Sequence, residues 1–190
     1  VYIISAIFRP DQLFFQWFGA PYRKMLYCFT HLFVQDNRSK ELLEQYGIRN
    51  VTVYGDTRFD RVLDVRNQAR ELPEVERFVG KRSLTLIAGS SWPQDEEILI
   101  PYFNEHPEMK LIIAPHEIHR EHLMYIESLL KRPAVRLSDV MQDKSLLEGK
   151  DCLIVDSFGL LSSIYRYGTI AYIGGGFGAG IHNTLEAAVY

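Results

Sequence analysis

Cysteine is scarce in this sequence: Cys28 and Cys152 are the two among 190 residues. Their separation is not that of a zinc site, and one pair makes no disulfide framework. A reducing, cytosolic compartment is therefore the default setting. No apolar run reaches the roughly 20 residues that a membrane-spanning helix needs. The first residues lack the pattern of a signal peptide.

An excess of one charge is also missing. The net charge is −3, and lysine and arginine are scattered along the chain. Nucleic-acid binding needs clustered positive charge, so we expect no nucleic-acid partner. No set of His, Cys and carboxylate residues has metal-ligand spacing, and no Asp-x-Asp pair follows a strand, so we expect no metal and no cofactor. We interpret His119, Glu121 and His122 as a solvated helix face.

What the sequence does contain is enough apolar material for a packed core, at 47% hydrophobic and 13% aromatic residues. From Leu84 onward, short apolar runs alternate with helical patterns. This alternation predicts an α/β fold, a Rossmann-like parallel sheet with helices on both faces. The five predicted strands are 84–88, 110–114, 135–137, 152–155 and 169–173, and a helix is predicted over 160–167 before the last of them.

The upstream part has its own strand and helix patterns. Strands are predicted at 1–7, 31–35 and 51–54, and helices at 11–28 (with a break at Gly19), 39–46 and 61–79. The segment Gly55–Asp60 is typical of a connection between units, so we place a boundary near Gly55. Since the chain starts inside a strand-like run and without Met, we expect it to be a piece of a longer protein.

A glycine-rich loop is the most informative segment. Five glycines lie between the last predicted strand and a helix predicted to start at Asn183. Glycine has no Cβ, so a ligand can approach the backbone, and a helix N-terminus attracts anions. Asn183 is the predicted N-cap, with Glu186 at the capping-box position. The segment predicts a phosphate or nucleotide site, and a ligand-free turn with a capping pair is the alternative.

Three other polar loops follow predicted strand ends, at 89–91, 115–116 and 156–159. Ligands of parallel sheets bind beyond the carboxyl ends of the strands, so these loops and the glycine-rich loop at 174–182 are expected to converge. Ser90 and Ser91 either donate hydrogen bonds to an anionic ligand or cap the following helix.

The sequence of these loops resembles that of one enzyme family. The matching segments are Ala88-Gly-Ser-Ser-Trp-Pro-Gln-Asp-Glu-Glu97, Ala114-Pro-His116, Asp156-Ser-Phe-Gly-Leu160 and Gly174-Gly-Gly with His182-Asn-Thr-Leu-Glu186, together with Phe33-Val-Gln-Asp36 and Gly55-Asp-Thr-Arg-Phe-Asp60 upstream. They resemble the 3-deoxy-D-manno-octulosonic acid (Kdo) transferases, which glycosylate the lipid A precursor of Gram-negative outer membranes. The similarity covers nearly the whole chain.

The resemblance implies a GT-B architecture, in which two Rossmann-like domains face each other. Residues 1–55 would be the C-terminal part of the N-terminal (acceptor) domain, and residues 56–190 the CMP-Kdo donor domain, incomplete at its end. The full-length enzyme would transfer Kdo from CMP-Kdo to a lipid A precursor in lipopolysaccharide biosynthesis, at the cytoplasmic face of the inner membrane. The family's catalytic glutamate lies outside these residues, so we expect this chain to hold no catalytic residue, to be inactive alone and to be soluble.

The resemblance also implies which residues contact the donor. The CMP-binding residues would be Pro115, His116, Phe158, Gly159, Leu160, Asn183, Thr184, Leu185 and Glu186. Further contacts to phosphate or Kdo are expected from Ser90, Ser91, Gly175, Gly176 and His182, with packing as the alternative role of His182. His116 stands where the family has Arg and offers fewer hydrogen-bond donors, and Arg120 could take over that role. Glu186 either accepts hydrogen bonds from the ribose hydroxyls or caps Asn183.

Other interpretations stay open. A UDP-sugar epimerase of the GT-B type shares a similar glycine loop and carboxylate, and a non-catalytic nucleotide-binding module would need the same loops. An aromatic stripe, Phe14, Phe15, Trp17 and Phe18, precedes Arg23 and Lys24 and could lie on a membrane surface. Packing of this stripe in the core is the favoured interpretation, because aromatic stripes are usually buried.

Overall fold

The computed structural model describes residues 1–80, 84–178 and 180–190. The predicted loop at 174–182 includes Ala179, which lies outside the described residues. The chain forms two compact units, Val1–Arg61 and Val62–Tyr190. They are called the first and the second unit below.

The first unit contains a three-stranded parallel sheet. Its strands lie in chain order, β1 at Tyr2–Ala6, β2 at His31–Val34 and β3 at Val51–Val53. Helix α1 is Ala20–Leu26 and helix α2 is Asn37–Gln45, while α3, Thr57–Asn67, contains the division between the units. The Asp36 side chain caps α2 by accepting a hydrogen bond from the Ser39 N–H at 2.6 Å.

Two helices predicted upstream are shorter than expected. Between residues 11 and 28 the chain forms a 3₁₀ turn, Leu13–Phe15, followed by α1, whose first turn contains Pro21. Residues 61–79 divide into α3 and α4, Pro73–Val79. Proline is favoured in a first helical turn, where its missing N–H has no partner to lose, and Pro21 and Pro73 each lie in the first turn of a new helix.

The second unit confirms the predicted α/β fold with a five-stranded parallel sheet. The strands are β4 (Leu84–Ser91), β5 (Met109–Pro115), β6 (Ala134–Arg136), β7 (Cys152–Ile154) and β8 (Ile170–Ile173), and their order across the sheet is β6-β7-β5-β4-β8. Every neighbouring pair is parallel. Parallel strands of this kind end at one edge of the sheet, where the candidate site lies.

Both faces of this sheet are buried. Ile87, Ile112 and Leu153 pack into one apolar cluster, while their neighbours Ala88, Ile113 and Ile154 pack into the other. Successive side chains of a strand alternate between faces, so a strand covered on both sides is apolar throughout. The helices of this unit after α4 are α5 (Pro93–Glu105), α6 (Arg120–Leu129), α7 (Leu137–Gln142), α8 (Leu161–Ile164) and α9 (Leu185–Ala188). None of the helices within the described ranges has the length and apolar character needed to cross a membrane.

Three local predictions in this unit are wrong. Strand β4 extends to Ser91, because an irregularity between Gly89 and Ser91 lets it continue its pairing with β5. Leu137 begins α7 and does not end the third strand of the sheet. The helix predicted over 160–167 is a single α-turn, α8, followed by a 3₁₀ turn at Tyr165–Tyr167.

Candidate functional site

A cavity of about 350 Å³ lies at the carboxyl edge of the five-stranded sheet. Six residues predicted to bind the donor or its phosphate line it: Ser90, Pro115, His116, Phe158, Gly159 and Glu186. They come from four segments that are distant in sequence, and the strand order brings them together. The other predicted residues do not line this cavity, namely Ser91, Leu160, Gly175, Gly176, His182, Asn183, Thr184 and Leu185. Arg120, the suggested substitute for the family's Arg, does not line it either.

Glu186 is the one acidic residue in the described lining of this cavity, which includes no lysine or arginine. Its Oε1 accepts a hydrogen bond from Asn183 Nδ2 at 3.1 Å. Helix α9 starts at Leu185, two residues after the predicted start, and Thr184 before it makes no side-chain cap bond. Asn183 supplies the cap that the sequence predicted, because its Oδ1 accepts from the Leu185 N–H at 3.2 Å. The hydrogen bond from Asn183 thus orients the Glu186 carboxylate at the wall of the cavity.

The backbone at the end of β4 is strained where it meets the cavity. Ser90 has φ 51°, a left-handed conformation that residues other than glycine rarely adopt. The neighbouring residue holds this turn at two points: Ser91 Oγ donates to Glu96 Oε1 at 2.8 Å, and the Ser91 carbonyl accepts from the His116 N–H at 2.9 Å. Ser91 is therefore a buried support for Ser90 and His116. Strain held by the surroundings is a frequent feature of ligand sites.

Asp95 anchors the glycine-rich loop, a role that the sequence analysis missed. Its side chain is 1% exposed, and it accepts hydrogen bonds from Tyr172 Oη at 2.6 Å, the Trp92 N–H at 2.9 Å and the Gly175 N–H at 3.0 Å. Burial, with a further contribution from the Asp95 bond, raises the pKa of Tyr172 to about 12. The spacing Trp92-x-x-Asp95 is that of an N-cap and its N3 acid, which is the signal that could have identified this carboxylate.

The first two glycines of the loop are required by the protein's own packing. A Cβ at Gly174 would clash with the Ser90 carbonyl oxygen and lie 2.7 Å from Asp95 Oδ2. Gly175 has φ 94°, and a Cβ there would lie 2.9 Å from His182 Cδ2. By contrast, a Cβ at Gly176 would meet nothing within 4 Å. Close approach of a ligand is thus not needed to explain Gly174 and Gly175.

Three aromatic rings meet beside the cavity. The indole Nε1 of Trp92 donates to Nε2 of His182 at 3.1 Å. The His116 ring lies roughly parallel to both, with its centroid 4.6 Å from that of Trp92 and 4.7 Å from that of His182. His182 is therefore outside the cavity lining, but it is in direct contact with His116, which is part of it.

A buried polar chain leads from the same loops toward α6. Glu96 Oε1 accepts from Ser91, and Glu96 Oε2 lies 2.8 Å from His122 Nε2, while His122 Nδ1 lies 2.8 Å from the Glu117 carbonyl oxygen. His122 is only 5% exposed, so its interpretation as part of a solvated helix face is wrong. The carbonyl can only accept, so Nδ1 carries a proton. These hydrogen bonds join the end of β4 and the loop after β5 to the start of α6.

One group of described side chains has metal-ligand proximity. The ligand atoms of Glu117, His119 and His122 lie within 4.8 Å of one another, at a second cavity of about 450 Å³. His119 already contacts Glu117 at 3.2 Å and Glu121 at 3.3 Å, and both ring nitrogens of His122 are engaged. A cation here would have to displace existing contacts.

Comparison with known proteins agrees with the motifs. Residues 1–61 match the family described as 3-Deoxy-D-manno-octulosonic-acid transferase (kdotransferase). The 3-deoxy-D-manno-octulosonic acid transferase of Rickettsia felis is 28% identical over 186 residues, which are 95% of this chain and 39% of that protein. The bifunctional glycosyltransferase/methyltransferase of Fusobacterium nucleatum is 30% identical over 177 residues, 88% of this chain and 27% of that protein.

A solved structure was also matched, the C-terminal CMP-Kdo binding domain of WaaA from Acinetobacter baumannii. It is 22% identical, with a TM-score of 0.46 over 69% of this chain and 65% of that one. The chain spans well under half the length of the two relatives above. The family match in the first unit and the Rickettsia relative along almost the whole chain confirm the resemblance that the motifs indicated: the sequence is similar to those of 3-deoxy-D-manno-octulosonic acid transferases.

Proposed function

We propose that the full-length protein transfers Kdo from CMP-Kdo to a lipid A precursor in lipopolysaccharide biosynthesis. In this proposal the architecture is GT-B, residues 1–55 belong to the acceptor domain and residues 56–190 to the donor domain. The observation that carries it is the cavity at the carboxyl edge of the five-stranded sheet, lined by six residues that the family motifs assign to the donor. The relatedness of the chain to Kdo transferases supports the choice of substrate.

The donor's CMP would occupy this cavity. Its volume of about 350 Å³ is at the lower end of the range for small-molecule sites. Glu186 would accept hydrogen bonds from the ribose hydroxyls through the carboxylate oxygen that Asn183 leaves free. Phe158, whose side chain is 75% exposed beside the cavity, would cover the base. The hydroxyl of Ser90 and the ring of His116 would face the phosphate.

In the reaction, an acceptor hydroxyl attacks the anomeric carbon of Kdo. The new glycosidic C–O bond forms while the bond from that carbon to the phosphate oxygen breaks, and CMP departs with the electron pair. The hydroxyl proton goes to the family's glutamate, which we place outside these 190 residues. The role of this chain is to stabilise the departing phosphate with preorganised hydrogen-bond donors. Because the described lining has no lysine or arginine, neutral donors would supply that stabilisation.

The first unit would contact the inner membrane. Phe14 and Phe15 pack against its core, as the favoured interpretation of the aromatic stripe expected, but Trp17 is 91% exposed and Phe18 is also exposed. Aromatic side chains with nearby lysine suit the interface of a bilayer with anionic lipids, and Lys24 follows in α1. A peripheral contact would bring the acceptor lipid to the enzyme.

Nucleotide titration tests the donor assignment. We expect saturable binding of CMP and of CMP-Kdo to the chain, and binding of UMP at least tenfold weaker, measured by calorimetry. A preference for UDP-sugars would favour the epimerase alternative. Binding of neither nucleotide would contradict the proposal. Transfer of Kdo is expected only from the full-length protein, and transfer by these residues alone would show that the base lies within them.

A further inference from the structure

The ring pair of Trp92 and His182 has a defined protonation pattern. An indole N–H can only donate, so the Nε2 atom of His182, 3.1 Å away, must accept and can carry no proton. A neutral imidazole then carries its single proton on Nδ1. None of the described residues accepts a hydrogen bond from this Nδ1–H. The bond with Trp92 therefore selects one tautomer of His182 and leaves a donor available.

The same pair forms a flat support for His116, which we call the ring platform (Trp92 and His182). Since the two rings are joined at their edges, both can lie on one face of His116. The interplanar angles of His116 to Trp92 and to His182 are 24° and 26°. Offset stacking at these centroid distances of 4.6 and 4.7 Å is favourable. His116 is thereby held where it lines the cavity, although the ring is exposed.

The platform is itself held rigidly from both sides. Trp92 precedes α5, and its N–H donates to the buried Asp95, which fixes the backbone that carries the indole. The His182 N–H donates to the Gly174 carbonyl at 3.2 Å, which closes the glycine-rich loop. Together with His116, the platform thus brings the turn after β4, the loop after β5 and the glycine-rich loop into contact.

We propose that Trp92 is a positioning residue of the donor site. Through its indole N–H it holds His182 as the Nδ1–H tautomer, and through the platform it holds His116 at the cavity. His182 and His116 would then offer ring N–H groups, beside the cavity and in its wall, to the single phosphate of a cytidine monophosphate sugar, and the described lining of that cavity has no lysine or arginine. This inference rests on the proposed function.

The test is the substitution Trp92→Phe, which retains a stacking ring and removes the indole N–H. Long-range ¹H–¹⁵N spectra of the six histidines distinguish a protonated ring nitrogen from a bare one, and His182 is assigned by its loss in His182→Gln. We expect the wild type to show His182 with its proton on Nδ1, and Trp92→Phe to shift it toward Nε2–H. CMP affinity should fall roughly three- to tenfold, the equivalent of one hydrogen bond.

The matched control is Trp17→Phe, the same substitution at the other tryptophan of the chain, which lies in the first unit. It should leave the tautomer and CMP affinity unchanged. His182→Gln keeps an acceptor for the indole and an N–H donor but loses the stacked ring, so it should bind CMP more tightly than His182→Ala, which loses all three. The double variant Trp92→Phe/His182→Ala should lose no more CMP affinity than either single variant, since both substitutions break the same ring pair.

A proton on Nε2 of His182 in the wild type, or equal CMP affinity in wild type and Trp92→Phe, would overturn the inference. If Trp92→Phe does not fold, His182→Gln and His182→Ala are compared in its place. Equal CMP affinities of these two variants would overturn the inference. A wild type that binds no CMP would instead contradict the proposed function. The tautomer comparison needs no ligand, so the two failures are separable.

Discussion

Asp95 and Gly175 are joined by a 3.0 Å hydrogen bond from the glycine N–H to the carboxylate, although they are far apart in sequence. The bond connects the first turn of α5 to the glycine-rich loop. The same carboxylate accepts from Trp92 and Tyr172, so one buried side chain holds Gly175 against both. The start of the loop is therefore fixed by contacts within the protein.

Asp95→Asn should loosen this loop. An amide has one acceptor oxygen, and its NH₂ group would face donors that the carboxylate now satisfies. We expect the free energy of unfolding to fall by about 1–3 kcal/mol, the range for losing hydrogen bonds to a buried charge, together with weaker CMP binding. Denaturant titration measures the first and calorimetry the second. Glu97→Gln is the control, because Glu97 bonds the exposed Tyr125 hydroxyl away from the cavity; equal effects of the two variants would contradict the prediction.

Gly174→Ala should destabilise the second unit. Its new methyl group would meet the Ser90 carbonyl and Asp95 Oδ2, and neither can move without disturbing the strained turn at Ser90. Overpacking of this kind costs about 1–3 kcal/mol. Gly178→Ala is the matched control, since a Cβ there would meet nothing within 4 Å. The melting temperatures of the two variants should differ clearly, and two identical values would show that the loop adapts.

Glu186→Gln separates ribose binding from a purely structural role. If Glu186 holds the ribose, CMP binding should weaken by about 1–3 kcal/mol, with an unchanged melting temperature. The amide can still accept from Asn183, so the pair that orients the side chain survives. Asn183→Ala should also weaken CMP binding, because it frees Glu186, and it should cost about 1 kcal/mol of stability, because Asn183 Oδ1 accepts from the Leu185 N–H at the start of α9. An unchanged CMP affinity in Glu186→Gln would contradict the placement of the nucleotide at α9.

The ion pair of Glu74 and Lys144 should make stability depend on acid pH. A hydrogen bond from Lys144 lowers the pKa of Glu74 below its ordinary value of 4.5. A carboxyl with a lowered folded-state pKa contributes stability above its unfolded pKa and loses it as the pH falls through the folded value. Lys144→Met should therefore destabilise the protein by up to about 1 kcal/mol at pH 7, given the exposed lysine.

The difference between wild type and Lys144→Met should vanish below the folded pKa of Glu74. Melting temperatures from pH 7 to pH 3 measure it, and a difference that persists in acid would show that the lysine acts through packing. Lys40→Met is a suitable control, because Lys40 pairs with Glu44 at the longer distance of 3.8 Å with both side chains exposed.

Membrane contact should depend on the exposed aromatic residues before α1. We expect Trp17→Ala/Phe18→Ala to reduce co-flotation with vesicles of anionic phospholipid several-fold, since both rings would leave the bilayer interface. Tyr102→Ala, which removes an exposed aromatic ring from the second unit, serves as the control. Equal flotation of the double variant and the wild type would place the membrane contact elsewhere.

Local patterns in the sequence determined the strands of the second unit. Ile87, Ile112 and Leu153 lie in short apolar runs, and such runs between helical patterns can be buried only in a sheet covered on both faces. The motifs at the strand ends likewise predicted that Ser90, His116 and Glu186 lie at one edge of the sheet, because parallel strands end at the same edge. These features depend on residues that are close in sequence.

Only the tertiary structure decided what depends on partners distant in sequence. The burial of His122 and its contact with Glu96 follow from the packing of α6 against α5, and no spacing within either helix indicates it. Similarly, the sequence pattern around Gly174 is typical of a ligand-binding loop, whereas the fold places the Ser90 carbonyl where a Cβ of residue 174 would lie. The tautomer of His182 has the same origin, since it is set by an indole from another loop. A side chain's hydrogen-bonding state is a property of its three-dimensional neighbours, which the order of residues in the chain does not list.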